Sequence, residues 1–504
     1  MKNTFENAHW RQRSREVVER LVIQGTLVLE TPAHFGNGDA ESYTDMPLAR
    51  DPINDKPLLT GASIAGALRN YLRESELGYN VAEKKDGRTY AELLFGHLDE
   101  PRQETVHSWL MVDDSYAHEF QVEQRDGVGI DPQTRTAAKG MKYDIELLSA
   151  GTEFTLNFEL WRQENEAEHK KLYNALLYCL HGLQAGHLHL GQRKRRGLGQ
   201  CRMKDWKIWR FDMKTAAGLR DWLHFDPENP GKVAPIATEL PAAPDFKDRR
   251  EQVRFHARFQ LDSSLLIRSG DPLVDMAYLK SKRDGALQPI LSGTSFNGAL
   301  RARALRIAKT VLPNKLKAAQ ELVEGMFGKA MPRAEDKEKS ARKDEDQPTG
   351  SRVFVKETLI KNVINDLVQS RVKIDRFTGG AYPGALFSQQ PLFGRKNDQE
   401  PEIEIEFSLR KPNDPGKNKN FDAEIGLLLL VLKDLWTSDL PLGGESSVGR
   451  GRLIGKNARL EILDKEYVFL QINGKVTVTN SQGRKEEELK AELEHYVRKL
   501  QEVA

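Results

Sequence analysis

The chain has 504 residues, 39% of them hydrophobic and 30% charged, with a formal net charge of only +2 and two cysteines. Near-balanced charge excludes a polycationic nucleic-acid coat but leaves room for local basic grooves, and two cysteines without a CxxC pair exclude a disulfide framework or a cysteine zinc site. The opening MKNTFENAHWRQRSREVV lacks a signal-peptide apolar run, and the most apolar stretch, IGLLLLVLKDLW (425–436), is too short to span a bilayer, so a buried helix and a cytoplasmic protein are expected.

In chain order, VVERLVIQGTLVLET (17–31) alternates and is rich in β-branched residues, which predicts a half-buried strand. A glycine-bearing loop, TPAHFGNGDAESYTD, leads to a turn-rich segment in which Asp51 and Asp55 read as turn residues. A helix is predicted over 63–74 with Ser63 as its N-cap. Its N-terminus would offer unpaired N–H groups to a phosphate. Residues 104–160 read as strands around a polar hairpin, ending in the alternating TEFTLNFELW (152–161), before a helix over 167–183 and the loop HLGQRKRRGLGQ (189–200). His181, His187 and His189 form no complete zinc ligand set and read as structural. DPENPGKVAPIATELPAAPDFK (226–247) is rich in proline and predicts an extended, exposed linker.

The pattern then repeats. VRFHARFQLDSSLLIRS (253–269) predicts a strand, SGDPLVD a loop, and 295–308 a helix with Ser295 at its N-cap. The stretch DMPLARDPINDKPLLTGASIAGALR (45–69) is answered by DMAYLKSKRDGALQPILSGTSFNGALR (275–301). Ser63 and Ser295 lie 232 residues apart, as do Gly96 and Gly328. DGVGIDPQTRTAAKG is answered by SRVKIDRFTGGAYPG, with Asp131 and Asp375 now 244 apart; the charged run 333–347, read as disordered, supplies the difference. HLGQRKRRGLGQ is answered by PLGGESSVGRGR (441–452). Four matched blocks in one order establish an internal duplication. The expected architecture is α+β, two tandem copies of a split βαβ, ferredoxin-like domain. The boundaries are 1–225, a linker 226–250, 251–456 with a charged insert at about 330–350, and 457–504 as a C-terminal hairpin and helix. That hairpin turns at Asn473-Gly474, and the helix, 485–503, carries Leu489, Leu493, Tyr496 and Leu500 on one packing face.

Gly-x-Ser-x-x-Gly-Ala-Leu-Arg after an acidic loop, the Ile-Asp-x-x-Thr hairpin and the final Gly/Arg loop resemble the RAMP superfamily over roughly 17–210 and 253–455. The nearest likeness is to the backbone subunits of type III CRISPR effector complexes, and two copies on one chain resemble the fused double-backbone subunits of type III-D systems. The resemblance implies RRM-like palms, each with a projecting β-hairpin thumb, gripping a guide crRNA and holding single-stranded target RNA beside other backbone, large and small effector subunits. It also implies that a loop aspartate promotes Mg²⁺- (or Mn²⁺-) dependent cutting of the target. Asp45 in TDMPLARDP and Asp275 in VDMAYLKSK take that position and would serve as catalytic and metal-holding residues, although Arg50-Asp51-Pro52 is not cleanly reproduced in the second copy. His34 in TPAHFG matches a loop position near the guide backbone; the second copy has no histidine there.

Neither strand shows the aromatic signature of ordinary RRM proteins, so base stacking on the sheet is not expected. RNA contacts are expected instead from Arg193, Lys194, Arg195 and Arg196, where flanking glycines allow close approach. Ser446, Ser447 and Arg450 occupy the matching loop; Arg69 and Arg301 lie early in the matched helices, and Arg125, Arg135 and Arg376 in the hairpins. Two rival readings stand beside a target-cutting subunit. One is a non-catalytic RNA-binding scaffold, the other a guide-precursor processing endonuclease that depends on histidine and not on metal.

Overall fold

The computed structural model describes residues 17–503 apart from 39–43, 84–88, 100–103, 132–133, 135, 164–165, 232, 330–348, 395–399, 417 and 473. Arg135 and nearly all of the charged insert therefore lie outside the described residues, as does Asn473 of the expected C-terminal turn. The chain divides into two compact units: 1–124, 145–194 and 199–250 form the first, and 125–144, 195–198 and 251–504 the second. The hairpin segment 125–144 and the four residues 195–198 thus belong to the second unit despite their place in the first repeat.

In the first unit, β1 (Glu19–Leu29), α1 (Gly61–Leu77), β2 (Leu110–Val112), β5 (Glu153–Arg162), α2 (Glu166–Gln184) and β6 (Cys201–Asp212) follow in order. Between β2 and β5, β3 (Val122–Ile130) and β4 (Ala137–Leu148) pair as a two-stranded ribbon. The sheet runs β6-β1-β5-β2, every neighbour antiparallel. Strict alternation in β5 sends Phe154, Leu156, Phe158 and Leu160 to the core face, where they meet Ile64, Leu68 and Leu72 of α1 and Leu176, Leu180 and Leu183 of α2. The proline-rich segment is not a free linker. Ala237 and Ile236 exchange backbone bonds of 2.9 and 2.7 Å with Ile208 of β6, and Trp209 Nε1 donates to Val233 O at 3.0 Å. A strap of this kind satisfies the edge of β6 that a loose linker would leave open.

In the second unit, β7 (Gln252–Leu261), β8 (Met276–Tyr278), β9 (Lys280–Arg283), β10 (Ala286–Leu291), α3 (Gly293–Val311) and α4 (Leu316–Phe327) come first. They are followed by β11 (Val353–Val355), β12 (Thr358–Lys361), β13 (Gln369–Ile374), β14 (Ala381–Gln390), β15 (Glu402–Arg410) and α5 (Phe421–Trp436). Then come β16 (Leu453–Ile462), β17 (Lys465–Ile472), β18 (Lys475–Thr479) and α6 (Glu486–Gln501). The large sheet runs β9-β10-β12-β15-β7-β16-β17-β18, with β11 also on β15. Its centre, β11-β15-β7-β16, repeats the first unit's β2-β5-β1-β6: Leu110 pairs with Leu160 as Val353 pairs with Leu409. The C-terminal segment is not a separate piece: β17 and β18 extend this sheet, and Leu489, Leu493 and Leu500 of α6 are buried in the core. The expected buried helix is α5, with Leu427, Leu428, Val431 and Leu435 fully covered. No helix among the described residues is long and apolar enough to cross a membrane.

Candidate nucleic-acid interface

The two glycine loops share one backbone geometry. Leu190 N donates to Gly199 O and Leu442 N to Gly451 O, both at 2.9 Å; Gly199 N reaches Pro32 O at 2.9 Å and Gly451 N reaches Ser264 O at 2.7 Å. Gly199 and Gly451 have φ of +72° and +80°, and a Cβ there would stand 1.8 and 1.9 Å from the Leu190 and Leu442 carbonyl oxygens. Only glycine closes these loops.

The same frame matches His34 with Leu266: Gln192 N donates to His34 O at 3.0 Å, and Gly444 N to Leu266 O at 2.8 Å. Both side chains are buried, His34 at 1% exposure and Leu266 at 0%. His34 Nδ1 lies 2.8 Å from the Glu146 carbonyl. Burial outweighs that bond and lowers the imidazole pKa, helped by the Arg193 charge. His34 is therefore a neutral interior group, which corrects its expected role at the RNA backbone. Because an unfolded histidine takes up its proton near pH 6.5 and the folded one only at lower pH, stability should fall as pH drops below about 6.5. His169, whose pKa burial also lowers, contributes in the same window. His34→Leu, which copies the second unit, is expected to fold and to flatten part of that pH dependence in thermal unfolding between pH 7.5 and 5.5. An unchanged pH profile would contradict the burial argument.

At the loop crests, Arg193 (φ 54°) and Glu445 (φ 60°) occupy equivalent positions with opposite charge. Arg193 Nη2 donates to Met46 Sδ at 3.3 Å, beside Asp45. Glu445 is met by Arg450 at 2.9 Å, Arg371 at 3.4 Å, Arg268 at 3.7 Å and the Gln389 amide. Burial opposes its ionisation, yet the Gln389 amide and the Arg371 and Arg450 charges hold its carboxyl below the usual range. Arg450 is 3% exposed and also binds Ser264 Oγ, Gln369 and Gln389 at 3.2, 3.0 and 3.3 Å. It is an interior brace, which corrects its assignment as an RNA contact. Ser446 opens a one-turn 3₁₀ helix on the crest, half-buried, and Ser447 beside it is exposed.

Asp45 and Asp275 are both exposed and hold the same topological place. The next residue in each copy, Met46 or Met276, makes a parallel bridge to the strand leaving a ribbon, at Ile145 or at Gln389. Asp275 Oδ2 accepts from Ser388 N at 2.7 Å and Ser388 Oγ at 3.0 Å, and these bonds hold its carboxyl below the ordinary value. No group of three or more His, Cys, Asp or Glu among the described residues is placed to hold a metal. Each site thus offers one loop aspartate. That donor set fits a hydrated Mg²⁺ arriving with RNA phosphates and does not fit a tightly held resident ion.

The helix starts differ from expectation. Thr60 and Ser292, three residues before Ser63 and Ser295, are the N-caps. Thr60 Oγ1 accepts from Ser63 N at 3.3 Å, and Ser292 Oγ bonds Thr294 Oγ1 at 2.7 Å. Gly61 N, in the first turn of α1, donates to Asp114 Oδ1 at 2.7 Å, so a carboxylate already occupies the place expected for a phosphate. Arg69 is committed to Gly96 O and Glu83, both at 2.8 Å. Arg301 on α3 makes no side-chain hydrogen bond or ion pair among the described residues.

In the ribbons, Asp131 and Asp375 each accept from a backbone N–H at 3.0 Å, that of Thr134 and of Phe377, closing matching turns. Arg376 is exposed beside the fully exposed Phe377. Arg125 is buried and paired with Glu357 at 2.6 Å, so it is not displayed as the surface contact expected of it. In the basic loop, Arg195 donates to Ser351 O and accepts from Val355 N at 3.1 Å, and Arg196 bridges Val355 with its own side chain exposed. Lys194 is half-buried. Asp51 accepts from Asn54 N at 3.3 Å within its turn. His181 and His187 bond Pro241 O and Tyr71 Oη at 2.8 and 3.3 Å.

Sequence reasoning missed Ser388, Glu445 and Glu357. Only Glu445 carried a signal, its position opposite Arg193 in the aligned loops. A family model described as the RAMP superfamily matches residues 26–202 and 258–454. No curated protein matches the chain.

Proposed function

Because the chain belongs to the RAMP superfamily, a family of CRISPR-associated RNA-binding proteins, we propose that it is a type III backbone subunit that binds a guide RNA and cuts the paired target. In this reading each unit is a ferredoxin-like palm and each ribbon a thumb. The observation that carries it is the recurrence of an exposed aspartate, in both copies, one residue before the bridge to a ribbon strand. Such a position lets the carboxylate face a strand laid along the glycine loop and the ribbon base.

RNA brings its own nucleophile, the 2′-hydroxyl next to the scissile phosphate. The loops need only align it and offset developing charge. Backbone N–H groups and Arg193 in the first copy, or Arg268 and Arg371 around Glu445 in the second, would hold the phosphates. Asp45 and Asp275 would each give a carboxylate to Mg²⁺ or Mn²⁺, which when bound supplies electrophilic stabilisation of the phosphate oxygens. Asp275 is pre-set by Ser388, whereas Asp45 stands near the Arg193 crest.

Removal of metal tests this reading against its rivals. In the assembled complex with a labelled complementary RNA, EDTA is expected to abolish cutting and leave binding nearly intact, because phosphate contacts dominate affinity. Cutting that survives EDTA would sink the metal-dependent reading, and absence of cutting with Mg²⁺ present would leave the scaffold.

A further inference from the structure

We propose that the first unit carries a second ligand site, a cavity that binds a nucleoside monophosphate, at the end of β1 away from the glycine loop. The inference rests on this unit alone and not on the reading of the loops. The cavity has a volume of about 610 Å³, within the range of small-molecule sites. It opens between the N-terminal end of β1, the first turns of α2 and the strap, about 33 Å along β1 from the strand end that leads to His34.

Its charged walls are Arg162, Lys170, Arg210 and Glu19. Glu19 is held by Arg210 at 2.6 Å and by Arg162 at 3.3 Å. Three cations against one carboxylate leave the described wall net positive. His169 lies on the same wall, its Nε2 4.0 Å from Glu19. His169 and Tyr173 stack with centroids 6.3 Å apart and planes 25° apart, and Ile208 and Ile236 supply the apolar lining. Cationic groups beside a flat, aromatic and aliphatic wall suit a phosphate joined to a planar base, and suit neither fragment as well alone.

Isothermal titration calorimetry of the full chain with AMP, adenosine and inorganic phosphate tests the proposal. AMP is expected to bind saturably, with adenosine and phosphate each at least about tenfold weaker, a difference of about 1.4 kcal/mol. Lys170→Glu, at an exposed position, is expected to weaken AMP by about tenfold or more without lowering the thermal unfolding temperature; Tyr173→Ala should weaken AMP and adenosine together. A 5′-phosphorylated trinucleotide that displaces AMP, when its 5′-hydroxyl form does not, would assign the site to strand ends; failure to displace would assign it to free nucleotide. No saturable binding at about 1 mM AMP, or AMP binding that both Lys170→Glu and Arg210→Ala leave unchanged, would overturn it.

Discussion

Replacing Glu357 by alanine is expected to destabilise the second unit by roughly 3–5 kcal/mol. The carboxylate is 1% exposed and lies between two guanidiniums, Arg125 at 2.6 Å and Arg283 at 2.6 Å. Arg283 also donates to Ser281 Oγ at 2.7 Å and Lys282 O at 2.9 Å. Deleting the acid takes from two buried guanidiniums the carboxylate that they share, the costly half of a broken buried pair. Arg125 ties the ribbon segment 125–144 into the unit, so the loss should be felt there first. Urea unfolding of the full chain checks it, with protease protection of 125–144 as the local readout. A loss under about 1 kcal/mol, the size of an exposed pair, would contradict the burial account.

The second large effect is expected at the glycine loops. Gly451→Ala must hold alanine at φ +80° with its Cβ 1.9 Å from a backbone carbonyl oxygen. The backbone conformation alone costs roughly 1–2 kcal/mol, and the overlap forces the loop open beyond that. Gly199→Ala meets the same geometry at φ +72°. Both variants are expected to weaken guide RNA binding by tenfold or more with the salt slope reduced, measured by filter binding over a range of salt. Gly285→Ala is the control, since a Cβ there, at φ +80°, meets nothing within 4 Å. Equal loss in the control would show that only backbone strain is being measured.

These outcomes separate what residue order reveals from what it hides. Periodicity located β1, β5, α2 and α5 within a few residues, because one-sided burial writes itself into the spacing of apolar side chains. The duplication was legible for the same reason: glycines forced by close backbone approach must recur in both copies. Both helices were predicted but capped three residues late, since Thr60 and Ser63, or Ser292 and Ser295, are equally good hydroxyl acceptors for a first-turn N–H on paper. Charges were the weakest guide. Arg125 and Arg450 read as surface cations, but their partners Glu357, Ser264, Gln369 and Gln389 lie far away in sequence. For His34 a signal existed. Aligning the copies at the 232-residue offset of Ser63 and Ser295 sets it opposite Leu266, an apolar residue that suits an interior place.

The reversal of charge between Arg193 and Glu445 makes the two proposed cutting sites unequal. In the first copy a cation stands beside the aspartate loop. In the second, three arginines surround an acid that displaces part of their charge from solvent. Phosphate should therefore be held differently at the two sites, and the second should depend more on Arg268 and Arg371.

The most direct test compares wild type, Asp45→Ala, Asp275→Ala and the double variant in the assembled complex, with labelled complementary RNA and Mg²⁺. Each single change is expected to remove one distinct cleavage product, and the double variant both, while target binding stays within about threefold. If all four proteins give the same products with binding intact, the chain is a scaffold and the catalytic roles of Asp45 and Asp275 are wrong.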